Sequence, residues 1–209
     1  MRKAEPVYFW EADVEIVVRN LALSLQVEDR REGARTVRVF RADWLEGRDI
    51  YFNPAQRLKG WLKKQTAQLK PSLGTQVKDA VKVYPADSER DWIKIATVDD
   101  LQGSDKPLLE RDYKLPEALE GKTPFWQHIQ VPDKGGVRVA TTYWYVLPKE
   151  ITLRLKIVSF ARGVTPEIIE ELLRKLGKYT GIGDKHATGQ LGLFELKRFE
   201  VRKERFENI

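Results

Sequence analysis

The chain has 209 residues, of which 42% are hydrophobic and 10% aromatic, so it can bury enough apolar surface to fold. It contains no cysteine and two histidines, which excludes disulfides, thiol catalysis, and metal sites built from cysteines or several histidines. The formal net charge of +6 favours a polyanionic partner, because basic side chains that neutralise phosphates release condensed counterions.

Hydropathy argues against a membrane protein. No stretch approaches the roughly 20 apolar residues that a membrane-spanning helix needs, and Met1–Pro6 is too short and polar for a secretory signal. We therefore expect a cytoplasmic protein with no membrane partner and no cofactor. The charged fraction of 33% and the single methionine are a bias common in proteins from hot environments.

The first elements are predicted to be a hairpin and a helix. Apolar residues alternate over Val14–Val27, which predicts one long strand, and Thr36–Arg41 alternates again after a charged turn. Asn53-Pro54 is a helix start, with a capping side chain before proline, and Pro71 ends that helix. Gly60 inside it costs about 1 kcal/mol relative to alanine, so we expect a neighbour to pack closely there.

The middle of the chain is less regular. Val77–Tyr84 and Trp92–Val98 are predicted to be short strands. A second hairpin is predicted from Trp126–Val131 and Val137–Leu147, two β-rich runs that flank the turn residues Pro132–Gly136.

The last sixty residues predict strand, helix, glycine-rich loop and strand. Ile151–Ile157 alternates as a strand, and a helix begins at Thr165-Pro166 and ends at Gly177. The loop Thr180–Gly192 then leads into the strand Leu193–Val201.

Strand and helix pairs near both ends of the chain predict an α+β fold. We expect a ferredoxin-like or RRM-like split βαβ sandwich with a large inserted β-hairpin region. In this interpretation residues 1–209 form a single RRM-like domain, and residues 85–150 are an insertion that carries the hairpin.

The first helix has a basic side. Lys59, Lys63 and Lys70 share it, because residues four and seven apart nearly superpose at about 100° per residue. Arg57 and Lys64 flank the far side. Such a pattern is typical of an ordinary solvated face, and it is equally what a helix that follows a phosphate backbone requires.

The glycine-rich loop is a second candidate contact. Its glycines let backbone amides approach a ligand closely, and neighbouring side chains add charge or donors. It is neither a Walker loop nor a dinucleotide motif, because it follows a helix and precedes a strand. A merely flexible connection is the alternative. The candidate binding residues here are Lys178, Gly181, Gly183, Lys185, His186 and Gly189.

The second hairpin combines aromatic and basic residues. Trp126 and Trp144 lie near Lys134 and Arg138, a composition suited to base stacking at about 1–3 kcal/mol per base. Core packing is the alternative for each ring. Strand alternation places Tyr143 and Tyr145 on the face opposite Trp144, so at most one of the two sets is expected to be exposed.

Two segments resemble a known family. The segment Asp49–Lys63, DIYFNPAQRLKGWLK, resembles the opening of the first helix in the RAMP superfamily, the RRM-like RNA-binding subunits of CRISPR effector complexes. The segment Thr180–Leu196, TGIGDKHATGQLGLFEL, resembles the glycine-rich loop and last strand of the same superfamily. A stand-alone or virus-encoded relative with this fold fits as well.

The resemblance implies specific roles. The basic residues of the first helix and the glycine-rich loop would contact an RNA backbone, and the hairpin at residues 126–147 would correspond to the inserted thumb. The family's usual Arg-Gly-Phe-Gly core is here Gly189-Gln190-Leu191-Gly192.

We therefore expect a non-catalytic protein that binds single-stranded nucleic acid, RNA favoured over DNA. Its partners would be that strand, further copies of the chain along it, or protein subunits of a larger complex. A metal-independent endoribonuclease that uses His186 is an alternative, since histidine titrates near neutral pH. Magnesium-dependent chemistry would have to use Asp99-Asp100 or Asp87 with Glu89. A structural or assembly protein is the third alternative.

Overall fold

The computed structural model describes residues 7–87, 90–108, 112–133, 135–182 and 191–207. The strands are β1 (Val7–Glu32), β2 (Arg35–Arg41), β3 (Leu45–Glu46), β4 (Asp49–Phe52), β5 (Val81–Pro85), β6 (Ile93–Thr97), β7 (Tyr113–Lys114), β8 (Phe125–Asp133), β9 (Gly136–Ser159) and β10 (Leu193–Glu207). The helices are α1 (Pro54–Leu69), α2 (Pro71–Ala80) and α3 (Pro166–Leu176).

The central sheet has the strand order β10, β1, β9, β5, and every pairing in it is antiparallel. Helices α1 and α3 contact each other and the edge strands β5 and β10, so they cover one face. If the four strands are numbered along the chain, their order across the sheet is 4-1-3-2, which is the order of two interleaved βαβ units. The predicted split βαβ sandwich of the α+β class is therefore confirmed.

Strand alternation produces the two faces of this sheet. In β1, Trp10, Val14 and Ile16 are buried under the helices, whereas Glu11 and Asp13 point to the open face. In α3, the residues spaced by three and four, Ile169, Leu172 and Leu173, are buried against the sheet. The hydrophobic core fills the space between the sheet and the helices and continues to the buried aromatic residues Phe40 on β2, Trp44 after β2 and Tyr145 on β9.

Strand β1 is longer than the predicted Val14–Val27 and changes register at Asn20. Asn20 has a φ of 49°, in the left-handed region that asparagine tolerates better than most residues. Beyond this bulge β1 pairs with the first half of β9 and then with β2, which confirms the first hairpin.

The segment after α1 corrects a prediction. Residues 77–80 belong to α2 rather than to a strand, and β5 begins at Val81. Pro71 ends α1 and at the same time occupies the first turn of α2, where its missing N–H costs no hydrogen bond. One proline can therefore both end and begin a helix.

The expected close packing at Gly60 is wrong. A β-carbon at Gly60 would meet nothing within 4 Å, and the residue is exposed. The tight approach occurs at Gly74, where a β-carbon would lie 2.6 Å from the Ala67 β-carbon. The crowded glycine in this part of the chain is therefore on α2 and not on α1.

The second hairpin is confirmed, with β8 paired to the first part of β9. Strand β9 then continues without interruption into the central sheet, so the two strands predicted at 137–147 and 151–157 are one. The predicted insertion at residues 85–150 contains β6, β7, β8 and the first part of β9. A small sheet of β3, β4 and β6 lies beside the start of α1.

The two helix glycines predict opposite stability effects. Gly60→Ala should raise the free energy of unfolding by about 0.5–1 kcal/mol, because alanine loses less backbone entropy in a helix. Gly74→Ala, the matched control, should lower it by about 1–3 kcal/mol, because the new methyl group overlaps Ala67. Urea denaturation measures both, and a loss of stability in Gly60→Ala would contradict the open surroundings of that residue.

Candidate nucleic-acid interface

The net charge of the protein is concentrated in one segment. Between Asp49 and Asp79 the sequence contains six basic residues and no acidic residue, which equals the formal net charge of +6. The other 31 basic residues are thus balanced by the 31 acidic residues. The segment contains α1 and all of α2 except its last two residues, Asp79 and Ala80. Its basic residues are Arg57, Lys59, Lys63, Lys64, Lys70 and Lys78.

Helix α1 presents these charges on two sides. Lys59 is half-buried and Lys63 is exposed, and both flank the side where α2 packs. On the other side Lys64 is exposed, and the Arg57 guanidinium lies 3.3 Å from the Ala22 carbonyl oxygen, just beyond the bulge of β1. As the helical period predicts, Lys59 and Lys63 lie on one side of α1, and Arg57 and Lys64 lie on the other.

Trp61 joins α1 to the start of the glycine-rich loop. Its indole Nε1 donates a hydrogen bond to the Thr180 carbonyl oxygen at 2.8 Å, and its ring lies 5.1 Å from that of Phe194. Arg57 and Lys64 lie four residues before and three residues after Trp61, on the same side of the helix. Those two basic residues therefore border the base of the loop.

The two ends of the glycine-rich loop are held together. The Ile182 amide donates to the Gly192 carbonyl oxygen at 2.9 Å, and the Gly192 amide donates to the carbonyl oxygens of Arg19 and Asn20. A β-carbon at Gly181 would lie 2.1 Å from the Leu191 carbonyl oxygen. Glycine is therefore required at position 181 by this crossing of backbones, and we call residues 180–182 with 191–192 the loop base.

Other predicted residues of the loop fall in two groups. Lys178 is exposed after α3. A hydrogen bond from Lys197 lowers the pKa of the Glu195 carboxyl, and the nearby charge of Lys178 lowers it further. Gly183, Lys185, His186 and Gly189 lie outside the described residues.

The hairpin aromatics do not share a face. Trp126 pairs with Tyr143, whereas Trp144 pairs with Phe125 and stacks on its ring at 6.1 Å. Tyr143 and Tyr145 are buried, as the alternation predicts, and both tryptophans are half-buried. Arg138 is exposed on the face of Trp144, and Lys134 lies outside the described residues.

The open face of the central sheet carries matched charges. Lys156 pairs with Glu11 at 3.1 Å, and Arg154 pairs with Glu15 at 3.3 Å. Arg202 forms an ion pair with Asp13 on the same face. Cations that already hold a carboxylate offer less attraction to a phosphate. The excess positive charge is therefore on the helical side.

Two groups whose pKa values change have structural explanations. Burial raises the pKa of Tyr145, whose hydroxyl donates to the Lys122 carbonyl oxygen at 2.6 Å. A hydrogen bond from Lys149 lowers the pKa of Asp100, which also accepts from the Thr97 amide.

Within the described ranges no cluster of three or more acidic or histidine side chains could hold a metal ion. None of the helices described there is long and apolar enough to cross a membrane.

Sequence reasoning missed two features of this surface. The absence of acidic residues from 50 to 78 is readable in the sequence, and it locates the charge better than the helical period does. The contact of Trp61 with Thr180 joins residues 119 apart, and a lone tryptophan gave no signal for it.

Comparison with known proteins gives a distant similarity to solved structures. No family model matches the sequence, and no curated protein matches it. A chain in the cryo-EM structure of the type III-B Cmr-beta bound to cognate target RNA has a TM-score of 0.41 and 17% identity over 94% of this chain. The match covers 61% of that chain. The fold assignment here rests on strand order and register.

The loop base makes a prediction that needs no ligand. Gly181→Ala should force the Leu191 carbonyl away, lower the free energy of unfolding by about 1–3 kcal/mol, and speed hydrogen exchange at the Ile182 and Gly192 amides. Gly135→Ala is the control, because a β-carbon there meets nothing within 4 Å. Unchanged exchange at both amides in Gly181→Ala would contradict the close crossing.

Proposed function

We propose that this protein binds single-stranded nucleic acid, RNA in preference to DNA, without cleaving it. The observation that carries the proposal is that residues 50–78, which form α1 and most of α2, contain six basic residues and no acidic residue, an excess equal to the net charge of the whole chain. The strand would pass over these helices beside the loop base, with Arg57 and Lys64 nearest the loop.

Local charge on α1 supports phosphate binding. Lys63, Lys64 and Lys70 are exposed, and α1 contains no carboxylate that could compete for them. On the open sheet face Arg154, Lys156 and Arg202 are each paired with an acid. Phosphates gain most where cations are exposed and unmatched, because each contact releases counterions without breaking an ion pair.

The preference for single-stranded RNA is supported by other features. The half-buried Trp144 and its neighbour Phe125 offer a stacked pair on the same face of β9 as the exposed Arg138, which lies six residues away along the strand. Bases stack on such rings only when they are unpaired. The resemblance of two segments to the RAMP superfamily favours RNA. Backbone groups in a glycine-rich loop could contact a 2′-hydroxyl, which distinguishes RNA from DNA.

Removing two exposed lysines from α1 tests the proposal. Lys63→Ala/Lys64→Ala should weaken binding to all single strands about equally and flatten the salt dependence by roughly 0.7 per lost phosphate contact. Filter binding or fluorescence anisotropy at several salt concentrations measures both quantities.

A matched double variant separates local contact from net charge. Lys82 and Lys106 are also exposed, but Lys82 lies on the open sheet face and Lys106 in the loop after β6. Lys82→Ala/Lys106→Ala removes the same charge and should leave the salt slope nearly unchanged. Equal effects of the two variants would contradict a site on α1, and no binding by the unaltered protein at low salt would exclude the function itself.

The non-catalytic part of the proposal has its own test. Purified protein should leave single-stranded RNA intact with magnesium or with EDTA, as judged on denaturing gels. Cleavage in EDTA that His186→Ala abolishes would show instead a metal-independent ribonuclease. Cleavage that requires magnesium would point to carboxylates such as Asp99 and Asp100.

A further inference from the structure

A cavity near the small sheet differs in chemistry from the basic helices. It has a volume of about 430 Å³, opens to solvent, and lies between residues 43–46, Tyr51 and residues 90–92. This volume is within the range of roughly 300–1,000 Å³ that is usual for ligand pockets. It adjoins the small sheet, because Leu45 and Glu46 form β3 and Tyr51 belongs to β4.

Three aromatic side chains line this cavity. Trp44 is buried and held in place, since its Nε1 donates to the Ser24 carbonyl oxygen at 2.7 Å and its ring packs against Tyr145. Tyr51 and Trp92 are half-buried, so part of each remains accessible. The Tyr51 amide donates to the Trp44 carbonyl oxygen at 2.8 Å, which fixes two of the three walls relative to each other.

The remaining lining is mostly acidic. Asp43, Glu46 and Asp91 are exposed there together with one basic residue, Arg90, which is already engaged within the molecule. Asp43 accepts a hydrogen bond from Gln26 at 3.4 Å. Within the described part of the chain, Glu46 and Asp91 form no ion pair. This acidic patch stands out in a protein whose net charge is +6.

Aromatic walls and carboxylates together select an organic cation. Ring faces attract a cation, and a planar guanidinium can stack on a ring while it donates two hydrogen bonds to a carboxylate. A phosphate would be repelled, so this cavity and the basic helices cannot share a ligand. The carboxylates are exposed at the mouth, where a side chain that projects from another protein can reach them.

We propose that this cavity binds the guanidinium group of an arginine side chain presented by a partner protein. The guanidinium stacks on Trp92 or Tyr51 and pairs with Glu46 and Asp91. The site is independent of nucleic-acid binding, and its test uses no nucleic acid.

The test follows the six tryptophan indole signals by two-dimensional NMR of the full chain. Trp92→Phe assigns the signal of Trp92 by its loss. The peptide acetyl-Gly-Arg-Gly-amide should shift that signal in a saturable manner, with a dissociation constant of about 1 mM, whereas the signal of Trp61 on α1 should not move. The same peptide with citrulline in place of arginine keeps the shape but loses the charge, and should bind at least about tenfold more weakly.

Charge variants locate the interaction. Glu46→Gln/Asp91→Asn should weaken the arginine peptide about tenfold or more, because charged hydrogen bonds are lost. Glu117→Gln/Glu120→Gln removes the same charge from exposed positions elsewhere and should leave binding unchanged. The other indole signals report whether each variant is folded.

Three results would overturn the proposal. No shift of the Trp92 signal would exclude an arginine site, and equal binding of the citrulline peptide would show that charge plays no part. Tighter binding of spermidine than of the arginine peptide would assign the cavity to a free polyamine instead of a partner protein.

Discussion

Strand β1 is hydrogen-bonded along its length to most of the other large elements. Its first half lies between β9 and β10, and its second half pairs with β9 and then β2. The bulge at Asn20 lets one strand serve both regions without ending. At that bulge two carbonyl groups accept the Gly192 amide, so the loop base is fixed where β1 changes register. Through Thr180 and Trp61, the position of α1 depends on the same point.

The fold separates charge by layer. Alternating acids and bases on neighbouring strands neutralise one another across the open sheet face. Helix α1 has no acidic residue and α2 has only Asp79 near its end, so residues 50–78 carry an unbalanced positive charge. This arrangement favours the helices and the loop base beside them, rather than the sheet face, as the proposed nucleic-acid contact.

The acidic, aromatic cavity near β3 and β4 complements that surface. One part of the molecule attracts polyanions and another attracts cations, and each would repel the ligand of the other. The two proposed ligands, a nucleic-acid strand and a basic protein partner, would not compete for one surface, because the proposed sites use different elements of the fold.

The sequence by itself determined the class of fold and most of its elements. Alternation in β1 and β9, the caps at Asn53 and Thr165, and the buried stripe of α3 are local patterns, and local patterns are visible in one sequence. The charge excess at residues 50–78 is also a property of the sequence. What only the tertiary structure decided depends on contacts between distant residues. Gly60 has open space around it, whereas Gly74 is crowded by Ala67. Trp61 donates a hydrogen bond to Thr180. Trp44, Tyr51 and Trp92 line one cavity. No spacing along the chain encodes those contacts, because they follow from how the layers pack.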